Sequence, residues 1–375
     1  MAKRIGLDIR IFGSMNGGIG RYAFELFTRI LELDKENRYF LFYNKKNVDF
    51  KDLESFKKFP NAEPVETSVR HYSIAEQSLF VKTLNDLNLD LVHFPNFNVP
   101  FFYKKPYVVT IHDMVHHKIS GNKKSHLLHF YAYKKIIENA AIKAKKIITI
   151  SDFSKQEIIK YLNADPQKIS VIYEGTSLGT NVEESFVAEV KKRYLLSRPY
   201  FLFVGVLERK KNIINLTRGF DYFLQKYKLN VDLVIAGKID KHYPEIKHKA
   251  MDIKHQNHLV FTGYVDDDEL RALYKGAYAY ASASLHEGFG LPGVEALSFG
   301  LPLLVSNLPV FNEVYDNAAL YFNPLDPKDI GEKMNLLVRD NQFYSQVQEK
   351  SHSRSLFFDW NKTARETLAI YKQNL

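Results

Sequence analysis

The sequence predicts an α/β protein built as two Rossmann-like domains facing a central cleft. Three observations carry this. Short runs rich in Val, Ile and Phe alternate with longer amphipathic stretches along most of the 375 residues, the pattern of parallel sheets covered by helices on both faces. Twelve such runs occur, and they form two sheets more readily than one. A polar break at Gly175–Arg198, around EGTSLGTNVEE, divides them six and six.

In the first half, strands are expected at Arg4–Arg10, Tyr39–Tyr43, Asp90–Phe94, Tyr107–Ile111, Lys146–Ile150 and Ser170–Tyr173. In the second half they are expected at Tyr200–Gly205, Asp232–Ala236, Leu259–Thr262, Ala277–Ala281, Leu303–Ser306 and Leu320–Phe322. Helices are expected at Gly20–Leu33, Ser125–Lys145, Asn212–Lys226, Asp267–Lys275 and Pro292–Phe299. In open parallel sheets ligands collect outside the carboxyl ends of strands, so the loops there are where function is sought.

Composition narrows the chemistry. With no cysteine, the chain has no disulfide, Cys-ligated zinc, iron–sulfur cluster or thiol nucleophile. No stretch approaches the ~18 uncharged apolar residues of a membrane span, and the opening MAKRIGLDIR lacks the apolar core of a signal peptide, so a cytoplasmic location is expected. The net charge of +9 is uneven. Residues 1–180 hold 27 Lys+Arg against 19 Asp+Glu, and residues 104–146 alone hold ten Lys against Asp113 and Glu138. So local an excess suits one anionic partner, such as a membrane surface, better than a nucleic acid, which is not expected.

Four loops carry candidate chemistry. FGSMNGGIGRYAFEL places Gly17, Gly18 and Gly20 where a strand gives way to a helix, either a simple glycine turn or a backbone that approaches a phosphate. It also spells the dinucleotide pattern GxGxxA, but the next strand ends in Asn44-Lys45-Lys46 rather than in the acid a ribose needs, which argues against NAD. His112-Asp113 ends the strand YVVTI; the nearby His116 and His117 lack a metal-ligand spacing with a carboxylate. Arg209-Lys210-Lys211 stands at a helix start, where cations are disfavoured unless an anion offsets the cost; a solvated charge run is the other reading. Finally, SLHEGFGLPGVEA sets Glu287 at a strand end, a turn at Gly288–Leu291, and Glu295 one turn inside a helix. The N–H groups of Phe289, Gly290 and Leu291 would face an anion flanked by two carboxylates suited to hydroxyl pairs. Asp266–Asp268 resembles a metal site on composition but reads better as a helix start, with Asp268-Glu269 ahead of LRALY.

Together these motifs resemble retaining glycosyltransferases of the GT-B fold, family 4 (glycosyl transferases group 1). The resemblance runs from Ile5 to about Tyr371, and EGFGLPxxEA, Glu287–Ala296, is its most specific part. The wording GGIGRY, SIAEQ, DLVHFPNFNVP and THDM is most similar to bacterial O-antigen and cell-surface mannosyltransferases. FFDWNKT, Phe357–Thr363, resembles the family's final helix, which crosses back to the first domain. The implied organisation is an acceptor-side domain at 1–180, a nucleotide-sugar domain at 181–355 and the returning helix at 356–375.

Residue by residue, the resemblance makes Gly18 a backbone contact to the donor phosphate and His112 a contact to the transferred sugar. Lys211, with Lys210, would neutralise the diphosphate. Glu287 would grip the sugar, Phe289–Leu291 would supply N–H groups, and Glu295 would bind the ribose. The residues Val206 and Arg209-Lys210 depart from the usual pattern around the first lysine. The implied enzyme is a retaining, metal-independent hexosyltransferase with no cofactor. It would move mannose from GDP-mannose to a glycan or polyprenyl-diphosphate-linked acceptor, as a peripheral protein on the inner face of the plasma membrane. A UDP-sugar donor, an inactive nucleotide-binding partner subunit and, more distantly, a dehydrogenase are the alternatives.

Overall fold

A computed structural model of the chain describes residues 2–13, 17–47, 53–114, 124–176 and 178–375, with backbone alone for 124–129. Ser14, Met15 and Asn16 of the glycine loop, His116, His117, Lys118 and Lys123 lie outside the described residues. The chain parts into two compact units, residues 1–175 with 359–375 and residues 176–358. The polar break therefore parts the units at Gly175, at its very start.

The first unit runs β1 (Arg4–Asp8), α1 (Gly17–Leu33), β2 (Arg38–Tyr43), β3 (Ala62–Glu66), α2 (Val81–Asp86), β4 (Leu91–Phe94), β5 (Tyr107–Thr110), α3 (Lys124–Lys143), β6 (Lys146–Thr149), α4 (Asp152–Leu162) and β7 (Ile169–Val171). Its seven strands are all parallel, in the order β3-β2-β1-β4-β5-β6-β7. The run RYFLFY of β2 is buried from Tyr39 to Tyr43, as a strand covered on both faces must be. β3 is the strand the sequence did not announce. Its AEPVE is largely exposed and carries Pro64, which only an edge position tolerates.

The second unit runs α5 (Glu184–Arg193), β8 (Tyr200–Val204), α6 (Ile213–Tyr227), β9 (Asp232–Ala236), α7 (Ile246–Met251), β10 (Leu259–Gly263), α8 (Asp267–Gly276), β11 (Ala279–Ser282), α9 (Leu291–Ser298), β12 (Leu303–Ser306), α10 (Pro309–Tyr315), β13 (Ala319–Phe322), α11 (Pro327–Arg339) and α12 (Asn341–Ser355). Its six parallel strands follow the order β10-β9-β8-β11-β12-β13. One apolar core, including Phe201, Phe220, Phe223, Ile235 and Leu304, fills the space between this sheet and its helices.

Caps follow the sequence chemistry. Ser151, Asp340 and Asp359 accept from backbone N–H groups in the first turns of α4, α12 and the last helix. Asp266 caps α8 by accepting from the Glu269 N–H, which leaves Asp267, Asp268 and Glu269 in the first turn to meet the helix dipole.

The last helix, α13 (Trp360–Asn374), belongs to the first unit and packs on α1. Trp360 is buried, Thr363 donates to the Tyr173 carbonyl (2.7 Å), and the Tyr371 hydroxyl lies 2.5 Å from His93 Nδ1 on β4. A Cβ on Gly175 would collide with the Trp360 backbone nitrogen, so the chain can pass here only without a side chain. Of the apolar tip Phe101–Tyr103, Phe102 is well exposed and Phe101 partly so, whereas Tyr103 is buried in the core against Phe94 and Tyr107. Among the described residues no helix is long and apolar enough to cross a membrane.

Candidate active site

Strands β8 and β11 are neighbours in the second sheet, so the loops at their carboxyl ends meet. After β8 the chain makes a single tight turn at Arg209–Lys211, passes Asn212 in the left-handed region (φ 53°) and only then enters α6. The three cations therefore stand one turn ahead of the helix rather than in its first turn. Each has a partner. The Arg209 guanidinium lies 4.7 Å over the Tyr243 ring, Lys210 Nζ is 3.3 Å from Glu208, and Lys211 Nζ is 2.6 Å from Glu287 Oε1. The Leu285 N–H donates to the Lys210 carbonyl (2.7 Å) and ties the two loops together.

Glu287 is held from two sides, because the Ser284 hydroxyl donates to the same Oε1 at 2.7 Å. Burial alone would raise this carboxyl. The charges of Lys211 and then Lys210, with the hydrogen bonds from Lys211 and Ser284, outweigh it and hold Glu287 below the ordinary carboxylate range. Lys211 and Glu287, to which the resemblance assigned separate roles, form a direct ion pair here. Ser284 was not singled out in the sequence. Its signal was its place three residues before Glu287; both lie in the loop that follows β11, so Glu287 stands past the strand end where the sequence placed it.

The turn after Glu287 is built around Gly290, which opens α9 with φ 96°. Its carbonyl accepts from the N–H groups of Gly293 and Val294 and from the Tyr315 hydroxyl (2.7 Å). Phe289 is buried edge-on against Phe358, and Leu291 begins the helix, with Pro292 in its first turn. Glu295 faces inward at 2% exposure, and the Tyr274 hydroxyl sits between its Oε2 (3.1 Å) and the Pro292 carbonyl (3.0 Å). One hydroxyl proton serves two acceptors there, a partner for Glu295 that the sequence did not reveal.

Gly18 and His112 belong to the first unit. Gly18 is the second residue of α1, and a Cβ placed on it would meet no atom of the described residues within 4 Å. Open space at a helix N-terminus is what close approach of an anion requires. His112 follows β5. Its Nε2 donates to the Pro95 carbonyl (2.9 Å), so Nε2 carries the proton, and Nδ1 faces Glu174 at 3.6 Å. The Tyr22 ring packs edge-on against the imidazole at 4.7 Å, and Ser154 donates to the His112 carbonyl. Glu174, at the end of the last strand in this sheet, is a further polar neighbour that sequence reasoning did not name. Among the described residues, no group of three or more His, Asp or Glu side chains is placed to hold a metal ion.

Both halves of the chain match known proteins. Residues 16–179 match the description "Glycosyltransferase Family 4", and residues 188–354 match "Glycosyl transferases group 1". O-antigen chain mannosyltransferase RfbU of Salmonella typhimurium (strain LT2) is 32% identical over 196 residues, 52% of this chain and 52% of that protein. O-antigen chain mannosyltransferase B of Escherichia coli is 25% identical over 374 residues, 95% of this chain and 96% of that one. The chain thus matches about half the length of the first relative and nearly all of the second. Among solved structures, Anabaena Alr3699/HepE in complex with UDP and glucose aligns with a TM-score of 0.77, at 16% identity, over 99% of this chain and 100% of that one. With both halves matched in order from residue 16 to residue 354, and the two-unit parallel architecture in place, the chain belongs to the GT-B glycosyltransferases of family 4, the glycosyl transferases group 1 type.

Proposed function

We propose that the chain is a retaining mannosyltransferase that takes mannose from GDP-mannose and adds it to a glycan or polyprenyl-diphosphate-linked acceptor in bacterial surface polysaccharide synthesis. The observation that carries this reading is the Lys211–Glu287 pair at the ends of β8 and β11, 2.6 Å apart and mostly buried. An isolated ion pair in such a place contributes little stability after desolvation. A lysine that can trade its carboxylate for a diphosphate, and a carboxylate released to hold sugar hydroxyls, give the pair a task.

In the reaction, Lys211 and Lys210 stabilise the charge that develops on the departing nucleoside diphosphate, the kind of preorganised electrostatics that dominates such chemistry. Glu287 holds the sugar, with Ser284 fixing one of its oxygens. Glu295 binds the ribose, and the backbone of Gly18 at the N-terminus of α1 contacts the donor phosphate. His112, its ring oriented by Pro95 and Glu174, contacts the sugar. The acceptor hydroxyl attacks the anomeric carbon from the face that the diphosphate leaves, and its proton passes to the departing phosphate oxygen. Configuration is retained without a protein nucleophile, and the lysines take the place a metal ion would fill. The lysine-rich stretch 104–146, with exposed Phe102 beside it, rests on the anionic inner face of the plasma membrane.

The mannosyltransferase names of relatives support mannose as the sugar, and GDP is the carrier the resemblance implies for it. Thermal unfolding in EDTA with GDP or UDP tests this, since a ligand of the folded state raises the melting temperature. A larger rise with GDP is expected. A larger rise with UDP would overturn the donor assignment, and a rise that needs added magnesium would overturn metal independence.

A further inference from the structure

The carboxyl edge of the first sheet carries a second constellation, beside His112-Asp113, that the reaction as described does not use. Its base is a buried ionic network. Arg10, just past β1 and fully buried, donates to Asp8 from Nε (2.8 Å) and from Nη2 (2.7 Å), reaches Glu76 Oε1 with Nη2 (2.8 Å), and lies 3.7 Å over the Phe80 ring. Burial would raise Asp8, but the charge and hydrogen bonds of Arg10 hold it below the ordinary range. Glu76, 1% exposed, also accepts from Asn98 Nδ2 on Oε1 (2.9 Å).

The other oxygen of Glu76 accepts the backbone N–H of Tyr72 (3.0 Å). Tyr72 has φ 60°, a conformation that a bulky side chain adopts only when something holds it there. What the network holds is an aromatic ring 61% exposed to solvent. That ring lies 6.4 Å from Phe97, which in turn meets Tyr133 edge-on at 5.1 Å. Burial raises the Tyr133 phenol, and the charge of Asp113, the residue that follows His112, adds to that. At the other side of these rings, Asn98 Nδ2 lies 2.6 Å from His71 Nδ1; the amide donates, and the imidazole keeps its proton on Nε2.

We propose that Tyr72, Phe97 and Tyr133, with the Asn98–His71 pair beside them, form the binding site for a saccharide unit of the acceptor. Two buried carboxylates, two backbone-adjacent amide and imidazole groups and a strained residue are assembled here to present one exposed ring. The face of a pyranose is apolar enough to stack on such a ring, while its rim of hydroxyls needs donors and acceptors at fixed positions. Arg10 is enclosed and bound by two carboxylates, so it is not itself offered to a phosphate; the ligand class proposed is a neutral sugar. This inference rests on the glycosyltransferase reading and supplies the acceptor side that the reading leaves open.

The test uses Tyr72→Gly, which removes the ring and accepts the left-handed backbone, and Tyr72→Phe, which keeps the ring. Binding of methyl α-D-mannoside, methyl α-D-glucoside and methyl N-acetyl-α-D-glucosaminide is followed by saturation-transfer NMR on the full chain with GDP present. At least one glycoside should bind the wild type, Tyr72→Phe should bind it alike, and Tyr72→Gly should bind it about tenfold more weakly. Failure of all three to bind the wild type, or equal binding by Tyr72→Gly, overturns the site. The nucleotide-induced melting shift of each variant separates the two readings. Its absence from the wild type sinks the glycosyltransferase reading, whereas its presence alongside unchanged glycoside binding in Tyr72→Gly sinks only this site.

Discussion

Lys211 and Glu287, 76 positions apart in the chain, meet with Nζ 2.6 Å from Oε1 because β8 and β11 lie side by side in the second sheet. Both side chains are nearly enclosed, at 14% and 13% exposure, so each is the other's principal charge partner. Removing one leaves the other in a poorly solvated place. Lys211→Ala and Glu287→Ala are each expected to lower stability by about 1–3 kcal/mol in urea unfolding. The double variant should be less unstable than the sum, since neither charge is left behind. Transfer should fall about 10²–10³-fold in either single variant, the usual cost of losing one charge-stabilising contact at a reacting centre. Additive stabilities would mean that the two residues do not depend on each other.

Gly290 supplies a second prediction. At φ 96° its backbone is open to glycine and strained for any other residue, and a Cβ there would run into the Tyr315 hydroxyl and the Phe311 ring. Gly290→Ala should lower stability by more than the ~1–2 kcal/mol of the left-handed conformation alone. Tyr315→Phe, which removes only the hydroxyl donated to the Gly290 carbonyl, should cost about 1 kcal/mol. Equal melting temperatures for Gly290→Ala and Tyr315→Phe would show that the turn relaxes around the new methyl.

Two buried histidines set the response to acid. His93, enclosed by burial first and then disfavoured by the neighbouring His112, is pushed down to about 3; His71, by burial and then Arg10, to about 4. Both stay neutral in the folded chain while the unfolded chain protonates them near 6.5. Their contribution is therefore complete above pH 6.5 and is lost as the pH falls below it, by about 1.4 kcal/mol per unit for each. Glu76, raised by burial, acts in the opposite sense, favouring the folded chain as the carboxyl takes up its proton. Urea midpoints between about pH 7.5 and 5 should fall with acid in the wild type and fall less steeply in His93→Gln. Parallel slopes for the two proteins would contradict the assignment to His93.

Much of this was legible in the sequence because it depends on local pattern. Buried parallel strands such as RYFLFY and YFLFV show themselves as continuous apolar runs, and Ser151, Asp340 and Asp359 are ordinary cap residues ahead of helices. β3 was hidden because an exposed edge strand needs no apolar pattern, and its Pro64 reads as a breaker. The tight turn at Arg209–Lys211 was hidden because Asn212 alone, in the left-handed region, postpones the helix. In the site, Lys211 and Glu287 were visible as motif residues. Their ion pair and the Tyr274 partner of Glu295 come from strand order and helix packing, which no local pattern encodes. The same holds for Tyr72, whose exposed ring depends on Asp8 and Arg10 at the end of β1 meeting Glu76 from a distant helical turn.

The central claim is that Lys211 and Glu287 act on a nucleotide-sugar, and release of GDP from GDP-mannose by the purified chain in EDTA tests it most directly. Wild-type protein should release GDP. Glu287→Ala should release it about 10²–10³-fold more slowly while keeping a GDP-induced rise in melting temperature. Release by Glu287→Ala at the wild-type rate, or no release by the wild type from GDP-mannose, would contradict it.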